Sequence, residues 1–150
     1  MRIVIQRVQE ASVSIGGTQK SSIGPGMMIL VGICDEDTDE DIEYLCRKVV
    51  QMRIFNDADG VMNIPITEVP GSGILVVSQF TLMASTKKGN RPSYIHASRP
   101  EFAVPMYEKF IAKLQEIFGK KIHTGVFGAD MQVSLINDGP VTIIIDSKQR

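Results

Sequence analysis

Three short segments of the 150-residue chain bring together residue types that can act on an acyl or phosphate group. The first is Ser78-Gln79-Phe80-Thr81-Leu82, where the apolar run Ile74-Leu75-Val76-Val77 gives way to hydroxyls, an amide and an aromatic ring. A strand end is rigid, so main-chain amides there can hold a carbonyl or an oxyanion in fixed geometry. Taken alone, the segment also fits a Ser/Thr pair at a sheet edge facing water. The second is Asn137-Asp138-Gly139-Pro140-Val141-Thr142, which reads as a turn between two strand patterns. A Gly-Pro bond is cis in only about 5–6% of cases, and a cis bond there would push two neighbouring carbonyls out on one side. The third is Arg91-Pro92-Ser93-Tyr94, preceded by Lys87 and Lys88. Cations beside an aromatic ring can grip a phosphate and stack a base; a solvated loop tip is the competing account.

Other reactive side chains are few. A Thr81 hydroxyl is a weak nucleophile unless a base adjoins it. The only histidines, His96 and His123, are not placed beside it by anything in the sequence. Cys34 and Cys46 sit in apolar stretches and read as two buried thiols of a reducing compartment. Neither histidine falls near a cysteine at zinc-ligand spacing. Asn56-Asp57-Ala58-Asp59-Gly60 resembles a calcium loop superficially, but the acidic ligand six residues beyond its glycine is missing. No metal and no cofactor are expected.

The elements that must position these segments follow from periodicity. Residues 2–8 and 11–15 alternate as strands, with a hairpin turn at Gly16-Gly17. Residues 27–33 form a continuous apolar run, the pattern of a strand buried on both faces, and 74–78 form a second. Between them Ile42, Leu45, Cys46, Val49 and Val50 follow helical spacing. Asp37, Thr38 or Asp39 supplies the cap, and the end falls near Arg53. A polar loop over 84–97 is long enough to suggest a function. A second helix is expected from Ser98, with Pro100 in its first turn, to Gly119. Pro105 either marks its true start or kinks it. Strands over 131–136 and 141–146 close the chain. The pattern is that of one α/β domain over residues 1–150, a mixed, curved, barrel-like sheet with two main helices on one side.

Composition narrows the function. Hydrophobic residues make up 43% and charged residues 22%, which excludes a disordered chain. No apolar run approaches the roughly 20 residues needed to span a bilayer. The opening Met1-Arg2-Ile3-Val4-Ile5 lacks the layout of a secretory signal, so a cytoplasmic protein with no membrane partner is expected. A net charge of −1 argues against a general nucleic-acid coat and leaves room for a local basic patch.

Together the motifs closely resemble the D-aminoacyl-tRNA deacylase (D-tyrosyl-tRNA deacylase) family over the whole chain. Ile5-Gln6-Arg7-Val8 with Ala11-Ser12-Val13 is similar to its first hairpin, and Arg53-Ile54-Phe55 with Asp57 and Gly60 to its mid-chain turn. Ser78-Gln79-Phe80-Thr81-Leu82 matches one active-site signature. Gly128-Ala129-Asp130-Met131-Gln132-Val133 leading into Asn137-Asp138-Gly139-Pro140-Val141-Thr142 matches the other.

The resemblance implies a homodimeric ester hydrolase that frees D-amino acids from tRNA. It implies Ser78, Gln79, Phe80 and Thr81 at the reaction centre, and a cis Gly139-Pro140 motif lent across the dimer. Carbonyls of that motif would face the substrate α-carbon and exclude an L side chain, while glycine, as when mischarged on the alanine tRNA, would pass. Either Thr81 attacks the ester or the tRNA 2′-hydroxyl assists catalysis; the lack of a base near Thr81 favours the second. Lys87, Lys88 and Arg91, with Arg7 a weaker candidate, are expected to contact the tRNA. The alternatives are a hydrolase of another ester using Thr81 as nucleophile and a non-catalytic RNA-binding dimer module.

Overall fold

The computed structural model describes residues 1–150. Its organising element is β1 (Arg2–Ile15), an unbroken 14-residue strand. A strand has two edges, and β1 uses both along nearly its whole length. One edge pairs antiparallel with β2 (Thr18–Ile23) over its second half and with β3 (Gly26–Gly32) over its first. The other pairs with β8 (Gln132–Asp146) from Arg2↔Asp146 to Ser14↔Gln132. The sheet continues from β3 to β6 (Gly73–Ser78) and β7 (His123–Thr124), both steps parallel. Parallel neighbours need crossovers, and the two helices supply them: α1 (Asp39–Gln51) between β3 and β6, α2 (Pro100–Phe118) between β6 and β7. Two crossovers of the same hand in one direction put both helices on one face. A two-stranded ribbon, β4 (Phe55–Asn56) with β5 (Met62–Ile64), lies beyond α1.

The central strands are buried on both faces, as their apolar runs require. Met27, Ile29 and Val31 of β3 and Ile74 and Val76 of β6 pack with Leu45, Val49, Phe110 and Leu114 of the helices. Met28, Leu75 and Val77 point into a second cluster with Val8, Ala11 and Val13, inside the curl of the sheet. β3 and β6 start as a close pair of glycines. A Cβ on Gly26 would lie 1.9 Å from the Gly73 carbonyl oxygen, so no side chain fits there.

Thr38 caps α1: its amide and hydroxyl both donate to Asp41 Oδ2, at 2.8 and 3.0 Å. Burial alone would raise the Asp41 pKa. Hydrogen bonds from Lys148, Ser147 and Thr38 outweigh it and hold the carboxyl well below the usual carboxylate range. α2 begins at Pro100 rather than Ser98 and ends on a left-handed Gly119. Pro105 lies within it on the exposed side, where the carbonyl it leaves unbonded can meet water. The Asn56–Gly60 cluster turns between β4 and β5, and Asp57 Oδ1 accepts the amides of Asp59 and Val61. Both cysteines are free thiols, and burial pushes Cys46 up to about 12. No helix is long and apolar enough to cross a membrane.

Two expectations need correction. Residues 2–8 and 11–15 are not separate strands, since pairing with β8 carries β1 through Gln9 and Glu10. Asn137-Asp138-Gly139-Pro140 is not a turn joining two strands. It is an excursion within the single strand β8, where the register jumps from Val8↔Asn137 to Gln6↔Thr142. Arg7 alone faces the four residues 138–141. Turn-forming residues make a bulge here because β1 templates the chain on both sides of them.

Candidate active site

β6 delivers Ser78 to the end of the sheet, opposite Val31 of β3. The Gln79 amide donates to the Val31 carbonyl at 2.7 Å, and the chain then leaves through the 3-10 turn Phe80–Met83. Arg2 pins this turn from below. Its Nη1 donates to the Leu82 carbonyl at 2.8 Å, while Nε and Nη2 hold Asp146. Tyr107 of α2 donates to the Val76 carbonyl at 3.1 Å and clamps the helix over the same strand. The amides of Phe80 and Thr81 open the turn and have no carbonyl within it to bond. They are available to a bound oxygen.

Ser78, Gln79 and Phe80 form one wall of a cavity of about 620 Å³. Val31, Ile33 and Val77 make an apolar floor, and Phe127 and Met131 a second wall. Tyr94, from the long polar loop, meets Phe80 edge to face with ring centroids 5.1 Å apart. Only a few polar side chains, among them Gln79, Ser98 and Arg99, interrupt this lining. The space suits a flat, mostly apolar group oriented by few hydrogen bonds.

Thr81 adjoins the cavity without lining it. Its hydroxyl accepts from Gln79 Nε2 at 2.5 Å. His96 is exposed on the loop, and His123 sits in β7 opposite Leu75. Neither imidazole bonds to Thr81, so the structure supplies no base for it.

The Gly139-Pro140 peptide is cis, and Gly139 has φ +119°. Asn137 closes the foot of the excursion: its Nδ2 donates to the carbonyls of Arg7 and Val141, both at 3.0 Å. Arg7 fills the space beneath. Its Nη1 donates to the Ile54 carbonyl at 2.7 Å, and its Nε lies 3.0 Å from Asp138 Oδ2 and 3.3 Å from the Asp138 carbonyl. Arg7 is 7% exposed, which corrects its expected place among tRNA contacts. Its Nε and Nη1 are engaged with Asp138, Ile54 and Asn56, and burial leaves little of the guanidinium open to a phosphate. Gly139 and Pro140 are exposed and do not line their own chain's cavity. Five residues of β8 separate Gly139 from Val133 at the cavity wall.

Lys87, Lys88 and Arg91 are exposed and form no ion pair. Their loop is cinched by a two-bond bridge between Ser85 and Ser93, at 2.8 and 2.9 Å. The structural parts of Arg2, Tyr107, Ser98 and Arg99 were not anticipated from sequence. Arg2 gave a signal in retrospect, as a cation opening the otherwise apolar alternation of the first strand.

Comparison with known proteins places the chain among enzymes that hydrolyse carboxylic esters. The family model described as D-Tyr-tRNA(Tyr) deacylase matches residues 4–146. The D-aminoacyl-tRNA deacylase of Flavobacterium johnsoniae is 59% identical over 150 residues, covering 100% of this chain and 99% of the relative. That of Bacteroides thetaiotaomicron is 62% identical over the same shares of both chains. A solved structure titled c-Myc DNA Unwinding Element Binding Protein superimposes with a TM-score of 0.91 at 41% identity, covering 97% of this chain and 98% of that one. Another, of a probable eukaryotic D-amino acid tRNA deacylase, shares the fold with a TM-score of 0.81 at 18% identity, over 96% and 97% of the two chains. The chain belongs to the D-Tyr-tRNA(Tyr) deacylase family.

Proposed function

We propose that the protein is a cytoplasmic homodimer that hydrolyses the ester joining a D-amino acid to the 3′-terminal ribose of tRNA. The cavity holds the terminal adenosine. Its aromatic and aliphatic walls suit a base, and its open side meets the end of β6, so the acylated ribose lies against Phe80 and Thr81. Free amides at that turn stabilise the oxyanion. Lys87, Lys88 and Arg91 lie on the loop that carries Tyr94 and meet the tRNA backbone.

The observation that carries the chiral part is the placement of Gly139 and Pro140. They are exposed on a braced excursion and do not line their own chain's cavity. In the dimer they enter the cavity of the other copy, and their main-chain oxygens face the substrate α-carbon. β8 also leaves one edge unpaired and exposes Ile136 and Ile144, which a second copy covers.

Because Thr81 has an amide rather than a base as its neighbour, the 2′-hydroxyl of the substrate assists the attack and the protein positions it. Thr81→Ala therefore keeps deacylation of D-tyrosyl-tRNA within about tenfold of wild type, measured as single-turnover ester release. A loss of about a thousandfold or more, with tRNA binding intact, would restore the nucleophile account. The same assay on matched D- and L-tyrosyl-tRNA tests the function itself. D-ester is released and L-ester spared; release of neither would leave a binding module.

A further inference from the structure

Among side-chain nitrogens and oxygens shut off from solvent, one has no hydrogen-bond partner: the hydroxyl of Ser98. Comparable groups elsewhere are paired, as Ser72 is with the Ile66 carbonyl at 2.9 Å. An orphan of this kind destabilises the free protein and calls for a reason.

Its placement supplies one. The Ser98 amide donates to the carbonyl of Ile33, the residue just past the end of β3, at 3.0 Å, and two residues earlier the Val31 carbonyl takes the Gln79 amide. Carbonyls two residues apart along a strand are separated by about 7 Å. Ser98 and Gln79 therefore flank the gap that opens where β6 turns away, and both line the cavity. Ile33, Ala97, Pro100 and Ala103, which line the cavity with Ser98, have no side-chain donor or acceptor; Arg99 supplies donors only, so the hydroxyl is the one group there that can both donate and accept.

We infer that the Ser98 hydroxyl hydrogen-bonds the nucleobase of the substrate's 3′-terminal adenosine and sets the orientation in which that base enters the cavity. The inference rests on the cavity holding that nucleoside. A hydroxyl donates and accepts, and adenine presents an amino group beside ring nitrogens, so a rotation about χ1 lets the orphan pair when the base arrives. Apolar walls hold any flat ring. The hydroxyl selects one way of seating it.

Ser98→Ala tests this through two readouts that a structural hydroxyl would move together and an orienting one moves apart. The melting temperature of the free variant equals or exceeds that of wild type, because an unpaired group has been removed. KM for D-tyrosyl-tRNA rises about three- to tenfold with kcat within about twofold. The stabilisation that added adenosine gives wild type shrinks, while any effect of cytidine stays the same. An unchanged KM, or a free variant that melts several degrees lower, overturns the inference. The wild-type arm keeps the two questions apart. Wild type that releases no D-tyrosine overturns the proposed function, whereas active wild type with an indifferent Ser98→Ala overturns only the part given to Ser98.

Discussion

Gly139→Ala lowers kcat/KM for D-tyrosyl-tRNA by about a hundredfold or more, and what activity remains discriminates poorly between D and L esters. The cause is local crowding together with backbone conformation. With φ at +119°, Gly139 occupies a region that residues with a Cβ enter at a cost of about 1–3 kcal/mol. An added Cβ would stand 2.9 Å from both the Val141 amide nitrogen and its Cγ2, and 3.1 Å from Arg7 Nη2. Val141 is held by the bond from Asn137 Nδ2 to its carbonyl and by packing against the core, and Arg7 by three further partners, so the excursion itself must shift. A displacement of an ångström at a positioning group is enough for a loss of this size. Because residues 138–141 already stand out from the ladder, the fold survives and circular dichroism is unchanged. Activity within threefold of wild type, with selectivity intact, would show that the excursion does not contact the substrate.

Arg7→Ala gives the second large effect, and it acts on stability as well as rate. Truncation leaves the carbonyls of Ile54 and Asp138 without their donor and opens a space under the excursion. Loss of a buried, multiply bonded guanidinium costs about 2–4 kcal/mol, or about 5–15 °C in melting temperature for a chain of this size. Deacylation falls by at least about tenfold even where the variant is folded, since Gly139 and Pro140 lose their brace. Arg7→Lys restores the charge but not the fork that reaches Ile54 and Asp138 together, so it recovers only part of either quantity. The salt dependence of tRNA binding is unaffected by either change. Replacing Lys87, Lys88 or Arg91, by contrast, reduces that slope by about one per residue. A reduced slope in Arg7→Ala would return Arg7 to the tRNA surface.

Periodicity carried most of the fold. The 3, 4 spacing of Ile42, Leu45, Cys46, Val49 and Val50 marked α1 because one face of that helix packs on the sheet, and burial is what such spacing records. The unbroken apolar runs of β3 and β6 marked strands covered on both sides, as they are. The misread segment was Asn137-Asp138-Gly139-Pro140. Local preference asks for a turn there, and only the long partner strand β1, more than 120 residues earlier in the chain, makes it a bulge. The same distance hid the meaning of Arg7. A cation in a strand suggests a surface, and nothing nearby in sequence discloses that Ile54 and Asp138 converge on it. Ser78 to Thr81 were legible as an abrupt change of residue types at the end of an apolar run, and the first three of them line the cavity. The cavity beside them was not, since Ile33, Ser98 and Phe127 come from segments that meet only after two crossovers. Its shape is a property of the closed sheet.

The proposed chiral selection is a steric distinction of one methyl group: main-chain oxygens of a second copy would leave room at the α-carbon for hydrogen and none for carbon. Glycyl-, D-alanyl- and L-alanyl-tRNA differ there and nowhere else, so their single-turnover release rates with the intact protein test it most directly. Glycyl and D-alanyl esters should be cleaved within about tenfold of each other and the L-alanyl ester at least about a hundredfold more slowly, a gap of about 2.8 kcal/mol. Release of L-alanine at the D-alanine rate would contradict it.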